Sequence, residues 1–260
     1  MVAHSLRAVP VERVWGRREL PPGFPKPAGD VPIGEIWFET RDEAPLLVKY
    51  LFTSERMSIQ VHPDDAVAHA KGHKRGKDEA WYVLDAEPDA VIGLGLTHQV
   101  SRQELRAAAL DGSIEQLLDW KPTKAGDVFY SPAGTIHAIG GGIALIEIQQ
   151  NLDLTYRLYD YGRPRELHLD EAVAVADPCP WKPPSTRATI VDGRESLAKG
   201  GAFALERWSG AGMVDKGVVV PMATAGTIDG QPLKIGSVWS VDDPAEIEGN
   251  GLDLLVAFPA

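Results

Sequence analysis

The 260-residue chain has little cysteine and no long apolar runs, and each shortage excludes a class of protein. Its one cysteine, Cys179, cannot form an internal disulfide and matches no paired-cysteine metal or redox pattern, which indicates a reducing compartment. No stretch approaches the roughly eighteen apolar residues of a membrane-spanning helix, and the first residues lack the apolar core of a secretory signal. We therefore expect a cytoplasmic protein with no membrane partner.

Positive charge is scarce as well. The chain has 26 lysine and arginine residues against 37 aspartate and glutamate residues, which gives a formal net charge of −11. Such a charge argues against a nucleic acid as the main partner, so we expect a small molecule instead. The hydrophobic share of 44% and the charged share of 24% are those of a globular protein and exclude a disordered or fibrous chain.

Apolar segments are short because 26 glycines and 20 prolines interrupt them, which favours strands over long helices. The fold class that we predict is mainly β with a few short helices. Strand-like runs rich in β-branched and aromatic residues cover 46–52, 57–62, 80–86, 90–96, 127–132 and 143–149. Helices are predicted over 101–120, where Ser101 and Glu104 have capping-box spacing, and over 169–178.

One segment is echoed later in the chain, where residues 232–238 align with residues 122–128. The echo indicates either a coincidental hairpin or an internal duplication of a β-sandwich unit. Because no histidine follows His168, catalytic chemistry belongs to the first unit. A proline-rich connector at 176–186 marks a boundary, so we predict a metal-binding catalytic domain at 1–180 and a degenerate β domain at 181–260.

Four polar residues in or beside predicted strands indicate a metal site. Gln60 and His62 are two residues apart and so share one face of a strand, while Glu79 opens another strand, where a carboxylate needs a neutralising partner. His137 ends the segment GDVFYSPAGTIH (126–137), whose spacing resembles a cupin superfamily motif in which the histidine binds a metal inside a jelly-roll barrel. Each residue alone is more often structural, but together these donors suit zinc or another divalent first-row metal.

Longer blocks resemble the signature blocks of type I mannose-6-phosphate isomerase in its short bacterial form. They are IQVHPDD (59–65), GKDEAWYVL (76–84), AGDVFYSPAGTIHAI (125–139) and EIQQNLDLTYRLYDYGRPRELH (147–168). With matches upstream, they run from about residue 11 to 175. The resemblance implies a cupin jelly-roll barrel followed by a degenerate cupin-like unit. It also implies an aldose–ketose isomerase that interconverts mannose 6-phosphate and fructose 6-phosphate by proton transfer between C1 and C2 through an enediolate.

The resemblance also assigns roles to individual residues. One zinc ion per chain, or another divalent metal, would be held by Gln60, His62, Glu79 and His137. Catalytic roles would fall to Arg157, Lys77 and Asp153, and substrate contacts to Ser58, Lys77 and Arg157. The catalytic base is open between Lys77 and Asp153. The basic segment KGHKRGK (71–77) either adds charge for the phosphate or is a solvated loop.

Two other functions stay open, namely a different metal-dependent cupin enzyme, such as an iron oxygenase, and a non-catalytic cupin that binds a sugar phosphate. Gln60, which replaces a second histidine on its strand, counts against the iron oxygenase. The presence of both Lys77 and Arg157 counts against the non-catalytic cupin. The partner that we expect is a small sugar phosphate, with no nucleic acid and no membrane, and the chain would act as a monomer or homodimer. The short connection at 39–45 predicts a reduced rim around the site.

Overall fold

The computed structural model describes residues 3–21, 24, 29, 31–183 and 190–260. In the first part of the chain the strands are β1 (Ala3–Ser5), β2 (Ala8–Arg17), β3 (Ile33–Phe38), β4 (Leu46–Phe52), β5 (Ile59–Val61), β6 (Glu79–Ala86), β7 (Val91–Leu96), β8 (Leu118–Pro122), β9 (Val128–Ser131), β10 (His137–Ile139), β11 (Ile143–Gln150) and β12 (Tyr156–Tyr159). The later strands are β13 (Ile190–Val191), β14 (Arg194–Lys199), β15 (Phe203–Trp208), β16 (Gly212–Val214), β17 (Gly217–Pro221), β18 (Thr227–Ile228), β19 (Gln231–Pro232), β20 (Trp239–Val241), β21 (Ala245–Glu248) and β22 (Leu254–Pro259). The helices are α1 (Asp65–Ala70), α2 (Arg102–Asp111), α3 (Ile114–Leu117) and α4 (Leu169–Val175).

The described strands form two β-sandwiches. In the first sandwich, a five-stranded sheet of order β12-β5-β10-β7-β8 faces a six-stranded sheet of order β2-β3-β4-β11-β6-β9. In the second, a seven-stranded sheet of order β1-β20-β17-β22-β15-β14-β13 faces a four-stranded sheet of order β16-β21-β18-β19. Helices α2 and α4 cover the outer face of the five-stranded sheet. The predicted mainly β fold, with few short helices and a second β unit, is therefore confirmed.

The second sandwich repeats the strand order of the first. Strands β3-β4-β11-β6-β9 correspond to β14-β15-β22-β17-β20, and β5-β10-β7-β8 correspond to β16-β21-β18-β19, both in space and along the chain. The echoed segments form matching turns, since the Asp127 amide donates to the Lys124 carbonyl at 3.1 Å and the Ser237 amide donates to the Lys234 carbonyl at 3.1 Å. Shared topology and shared turns favour duplication over a coincidental hairpin.

The interiors of the two sandwiches differ in polarity. Successive residues of a strand point to opposite faces, so Leu145, Glu147 and Gln149 of β11 share the inner face of the first sandwich. That interior is apolar around Leu145 and polar at the Glu147 end. The described interior of the second sandwich is lined by apolar side chains such as Trp208 and Val219. Only the first interior therefore offers a polar pocket for chemistry among the residues that the structure describes.

Several predicted boundaries shift. The helix predicted over 101–120 ends as α2 at Asp111, because Gly112 takes the left-handed conformation with φ +84°, and β8 follows α3. Its start is as expected, since Ser101 and Glu104 form both bonds of a capping box. The predicted helix at 169–178 is the shorter α4, and the predicted strand at 57–62 narrows to β5.

Three other expectations are not decided by the fold. The domain division between 180 and 181 stays a prediction; β1 pairs with β20 across it, and residues 184–186 of the proline-rich connector lie outside the described residues. Oligomeric state and cytoplasmic location also stay predictions. None of the helices in the described part of the chain is long and apolar enough to cross a membrane.

The two sandwiches pack through an apolar layer between the six-stranded and the seven-stranded sheets. Phe203 of β15 is buried there, with its ring centroid 5.1 Å from that of Tyr130 on β9. Truncation of a buried phenylalanine leaves a cavity, so Phe203→Ala should lower the free energy of unfolding by about 3–5 kcal/mol. Ile190→Ala, at a side chain that is 71% exposed, is the control and should change it by less than about 0.5 kcal/mol. Urea denaturation measures both, and equal effects would contradict the packing described.

Candidate metal centre

Two histidines and a glutamate meet at the polar end of the first sandwich. His62 directly follows β5, Glu79 is the first residue of β6, and His137 is the first residue of β10. All three are buried, and one ligand atom from each lies within 4.8 Å of the others. The Nε2 atom of His62 is 3.2 Å from Glu79 Oε1, and that of His137 is 3.5 Å from Glu79 Oε2. The spacing is that of a group able to enclose one cation.

The outer nitrogens of both imidazoles are held by backbone carbonyls. His62 Nδ1 is 2.9 Å from the Leu154 carbonyl oxygen, and His137 Nδ1 is 2.9 Å from the Thr135 carbonyl oxygen. Because a carbonyl oxygen only accepts, each Nδ1 carries the proton and each Nε2 presents a lone pair toward Glu79. Metal-binding histidines are oriented in this way by an acceptor behind the ring.

Gln60, the fourth predicted ligand, lies beside this group. It is the register partner of His137 across β5 and β10, and its Nε2 is 3.3 Å from His137 Nε2. Its Oε1 accepts a hydrogen bond from Ser58 Oγ at 3.0 Å. The structure thus brings Gln60 and Ser58 to the group, with the amide nitrogen of Gln60 turned toward His137.

Lys77 controls the charge of Glu79. Its Nζ lies 2.7 Å from Glu79 Oε1 and 3.3 Å from His62 Nε2. Burial opposes ionisation of Glu79, but Lys77, followed by His62, holds the pKa of the carboxyl well below its usual value. Burial and the charge of Lys77 lower the pKa of His62 to about 4, and burial lowers that of His137. The centre therefore combines neutral imidazoles with an ionised carboxylate.

The donor set fits a divalent cation. Within the described chain, neither carboxylate oxygen of buried Glu79 accepts a well-oriented hydrogen bond. A buried carboxylate in that condition is costly, and a metal ion would add its positive charge to that of Lys77, which lies 2.7 Å from Oε1. Two imidazole nitrogens and a carboxylate oxygen are ligands that zinc and other first-row divalent metals accept.

A cavity of about 350 Å³ opens next to the centre. The remaining predicted site residues line it, namely Ser58, Gln60, Lys77, Asp153 and Arg157. Strand register places Arg157 at the cavity. Gln60 of β5 is paired with Arg157 of β12 on one side and with His137 of β10 on the other. His137, Gln60 and Arg157 therefore form one row across the five-stranded sheet, on the same face.

Sequence reasoning missed a charged pair in the cavity wall. Lys49 and Glu147 are register partners on β4 and β11, with Nζ 3.4 Å from Oε1, and both are buried. Trp81 Nε1 donates to Glu147 Oε2 at 3.1 Å. Burial, reinforced by the charge of Glu79, raises the pKa of Glu147. The sequence did contain a sign of this pair, because Lys49 and Glu147 are charged residues inside two strongly apolar strands, LLVKYLF and IALIEIQQ.

The rest of the basic segment 71–77 does not reach the cavity. Lys74 pairs with Glu43 at 3.1 Å, and Arg75 donates to backbone carbonyls that include that of Asn151. Lys71 lies over the ring of Tyr156, 4.9 Å from its centroid. Residues 71–74 are thus an exposed surface loop, and Lys77 is the residue of this segment that lines the cavity.

Comparison with known proteins shows relatives for part of the chain. No family model matches the chain. It is 42% identical over 160 residues to a mannose-6-phosphate isomerase of Streptococcus mutans, and 41% identical over 161 residues to the mannose-6-phosphate isomerase ManA of Bacillus subtilis. Each match covers 56% of this chain and 50% of the relative, so the chain spans about half the length of the curated relatives that it matches.

The whole fold is also matched. The crystal structure of the mannose 6-phosphate isomerase from Bacillus subtilis aligns with a TM-score of 0.83 and 28% identity, covering 99% of this chain and 100% of that one. The resemblance to mannose-6-phosphate isomerases is confirmed. Sequence similarity is concentrated in about half of the chain, whereas the similarity to the solved isomerase extends over both sandwiches.

Loss of either imidazole should remove the metal. We expect the purified protein to hold about one divalent ion per chain, and His62→Ala and His137→Ala to hold less than about a tenth of that, since each removes a nitrogen ligand. His73→Ala, at an exposed histidine of the surface loop, is the matched control and should keep its ion. Elemental analysis after dialysis measures the content. Full metal occupancy in both ligand variants would contradict this assignment.

Proposed function

We propose that the chain is a zinc-dependent aldose–ketose isomerase that interconverts mannose 6-phosphate and fructose 6-phosphate. The observation that supports this most is the buried group of His62, Glu79 and His137, which lies beside a cavity lined by Lys77 and Arg157. The relatives with 41–42% identity are named as isomerases of that sugar phosphate, which indicates the substrate.

Gln60, His62, Glu79 and His137 would hold one zinc ion per chain. The two imidazoles present free Nε2 atoms, Glu79 is ionised, and the side chain of Gln60 is adjacent. This mixed nitrogen and oxygen set suits zinc. When bound, the ion would supply positive charge that polarises the substrate oxygens at C1 and C2.

Lys77 and Arg157 would stabilise charge that develops on the substrate. The buried Lys77 ammonium is held protonated by Glu79 and Glu147, whose charges outweigh the effect of burial and raise its pKa. Arg157 lines the cavity, and its buried Nε has no hydrogen-bond partner in the described chain. Donors fixed in place before the reaction stabilise a developing oxyanion strongly when water is excluded.

Isomerisation also needs a group that takes the proton from C2 and returns it at C1. Asp153 and Lys77 line the same cavity, and both residue types serve as general bases, but the raised pKa of Lys77 keeps its amine protonated and so favours Asp153. Ser58 would orient the metal ligand Gln60 rather than transfer a proton, since its hydroxyl donates a hydrogen bond to the amide oxygen of Gln60. A variant series separates the two candidate bases.

The test is a coupled assay of fructose 6-phosphate formation from mannose 6-phosphate, before chelation, after it, and after zinc is restored. We expect activity to disappear on chelation and to return with zinc. Arg157→Ala should lower kcat, and Asp153→Asn should lose about 10²- to 10⁴-fold in kcat because it lacks the base. Full activity in Asp153→Asn would instead leave Lys77 as the base. Lys74→Ala, whose amine pairs with Glu43 outside the cavity, is the control and should keep full activity.

Two results would contradict the proposal. Turnover that persists in protein stripped of metal would exclude the zinc-dependent mechanism. Binding of the sugar phosphate without turnover, in protein that holds stoichiometric zinc, would favour a non-catalytic binding protein.

A further inference from the structure

Hydrogen bonds behind the buried metal ligands join the three ligand-bearing segments in a closed ring. These segments are the His62 segment (62–65), the Glu79 segment (76–79) and the His137 segment (131–137). The Lys77 amide of the Glu79 segment donates to the Pro63 carbonyl of the His62 segment at 3.0 Å. The Gly134 amide of the His137 segment donates to the carbonyl of His62 at 2.9 Å. The backbone alone thus makes two of the three connections.

One side chain, that of Asp78, makes the third connection. Asp78 directly precedes Glu79, and its Oδ1 accepts a hydrogen bond from the Ala133 amide at 2.8 Å. Its Oδ2 accepts a hydrogen bond from the Tyr130 hydroxyl at 2.7 Å. Tyr130 belongs to β9, and Ala133 to the turn that leads from β9 to His137. The carboxylate of Asp78 therefore holds the His137 segment against the Glu79 segment from two sides.

The backbone of Asp78 is fixed in turn by Gln150, the last residue of β11. The Asp78 amide donates to Gln150 Oε1 at 2.9 Å, and the Gln150 amide donates to the Asp78 carbonyl at 3.0 Å. Gln150 Nε2 donates to Asp65 Oδ1 at 3.0 Å, and the same oxygen accepts from the Gly76 amide at 2.6 Å. A Cβ on Gly76 would lie 2.5 Å from the carbonyl carbon of Asp64, so only glycine lets these two segments approach so closely.

Tyr130 connects this ring to the second sandwich. Its aromatic ring packs against Phe203 in the apolar layer between the two sandwiches. A Cβ placed on Gly200, in the hairpin between β14 and β15, would lie 1.9 Å from the Tyr130 hydroxyl oxygen. A glycine at this turn therefore leaves the space that the hydroxyl occupies. The group that orients the Asp78 carboxylate is thus itself seated by the second sandwich.

The ring bears on the metal centre because the ligands come from different sheets. Glu79 belongs to the six-stranded sheet, whereas His137 belongs to the five-stranded sheet and His62 directly follows a strand of it. No ladder of backbone hydrogen bonds joins β6 to β10 in the described sheets, so strand pairing does not set the separation of Glu79 and His137. Zinc needs its nitrogen and oxygen ligands at about 2.0–2.2 Å, so a small displacement of one segment weakens binding.

We propose that Asp78 is a positioning residue of the metal centre, which holds the His137 segment against Glu79 and, through Tyr130, links the ligand geometry to the packing of the second sandwich. The inference rests on the metal site of the proposed function. Asp78 is not among the residues that line the cavity, so it acts on the metal through the ligands and not on the substrate. Partners outside the ligand shell orient ligands in this way and tune metal affinity.

The test measures the zinc affinity of metal-free protein by competition with a chromophoric chelator. Asp78→Ala should weaken zinc binding at least about tenfold, the lower end of the effect of losing an outer-shell partner. Tyr130→Phe removes one of the two hydrogen bonds and keeps the ring between the sandwiches, so it should weaken binding less. In Asp78→Ala/Tyr130→Phe the second change should add nothing, because the hydroxyl then has no carboxylate to orient.

Asp127→Ala is the matched control. The Asp127 carboxylate also accepts from a backbone amide, that of Lys124 at 2.9 Å, and from a hydroxyl, that of Thr123 at 3.4 Å. It lies in the turn before β9, at the end of this strand away from Glu79. Its loss should lower the melting temperature of the metal-free protein but leave zinc affinity unchanged.

The electronic spectrum of the cobalt-loaded proteins reports the ligand geometry directly. It should change in Asp78→Ala and stay the same in Asp127→Ala. If Asp78→Ala does not fold, Tyr130→Phe tests the same link, and unchanged zinc affinity in that variant overturns the inference.

The outcomes separate this inference from the proposed function. Zinc affinity that is unchanged in folded Asp78→Ala, or lowered equally in Asp127→Ala, overturns the positioning role while the isomerase proposal stands. Wild-type protein that binds no zinc contradicts both. Zinc binding that depends on Asp78, in protein that does not turn over mannose 6-phosphate, supports the positioning role and contradicts the isomerase.

Discussion

The site depends on one buried ion pair, between the ammonium of Lys77 and the carboxylate of Glu79, 2.7 Å apart. Both groups are almost fully removed from water, and burying charges costs more than a single pairing returns unless further partners complete the arrangement. Two neutral imidazoles and a cation between them and Glu79 would provide such partners. A bound metal and Lys77 would then have a joint electrostatic role, since together they would neutralise a carboxylate that the fold places in the interior.

The sandwich architecture makes this placement possible. Inner-facing residues recur at every second position, so a strand such as β11 passes from apolar Leu145 to Glu147 and Gln149 without leaving the interior. Apolar packing at one end provides rigidity, and the polar end presents side chains from facing sheets to one cavity. The second sandwich keeps the strand order but has an apolar interior in its described part, and its seven-stranded sheet buries the outer face of the six-stranded one. The second sandwich thus supports the first, and the polar end of the first sandwich contains the candidate site.

Much of the centre follows from sequence alone. Gln60, His62, Glu79 and His137 lie in or directly beside strands, in segments with strong local signals, and the structure brings all four together. The capping box at Ser101 was equally local. Boundaries were less predictable, because the left-handed turn at Gly112 ends α2 inside an apparently continuous helical pattern.

The cavity wall could not be predicted in the same way. Lys49 meets Glu147 only because β4 and β11 pair in one register, and Arg13 joins Arg157 only because two sheets face each other. Register between distant strands is a tertiary property, so neither residue carries a local motif. Conversely, the dense positive charge at 71–77 suggested a phosphate site, yet apart from Lys77 its cations are engaged at the surface.

X-ray absorption spectroscopy of the metal-loaded protein tests the central claim, that His62, Glu79 and His137 enclose one metal ion. We expect a first coordination shell of light nitrogen and oxygen atoms with the multiple-scattering signature of two imidazoles, reduced to one in any metal that His137→Gln retains. A stoichiometric metal without imidazole scattering, or a spectrum unchanged in His137→Gln, would contradict it.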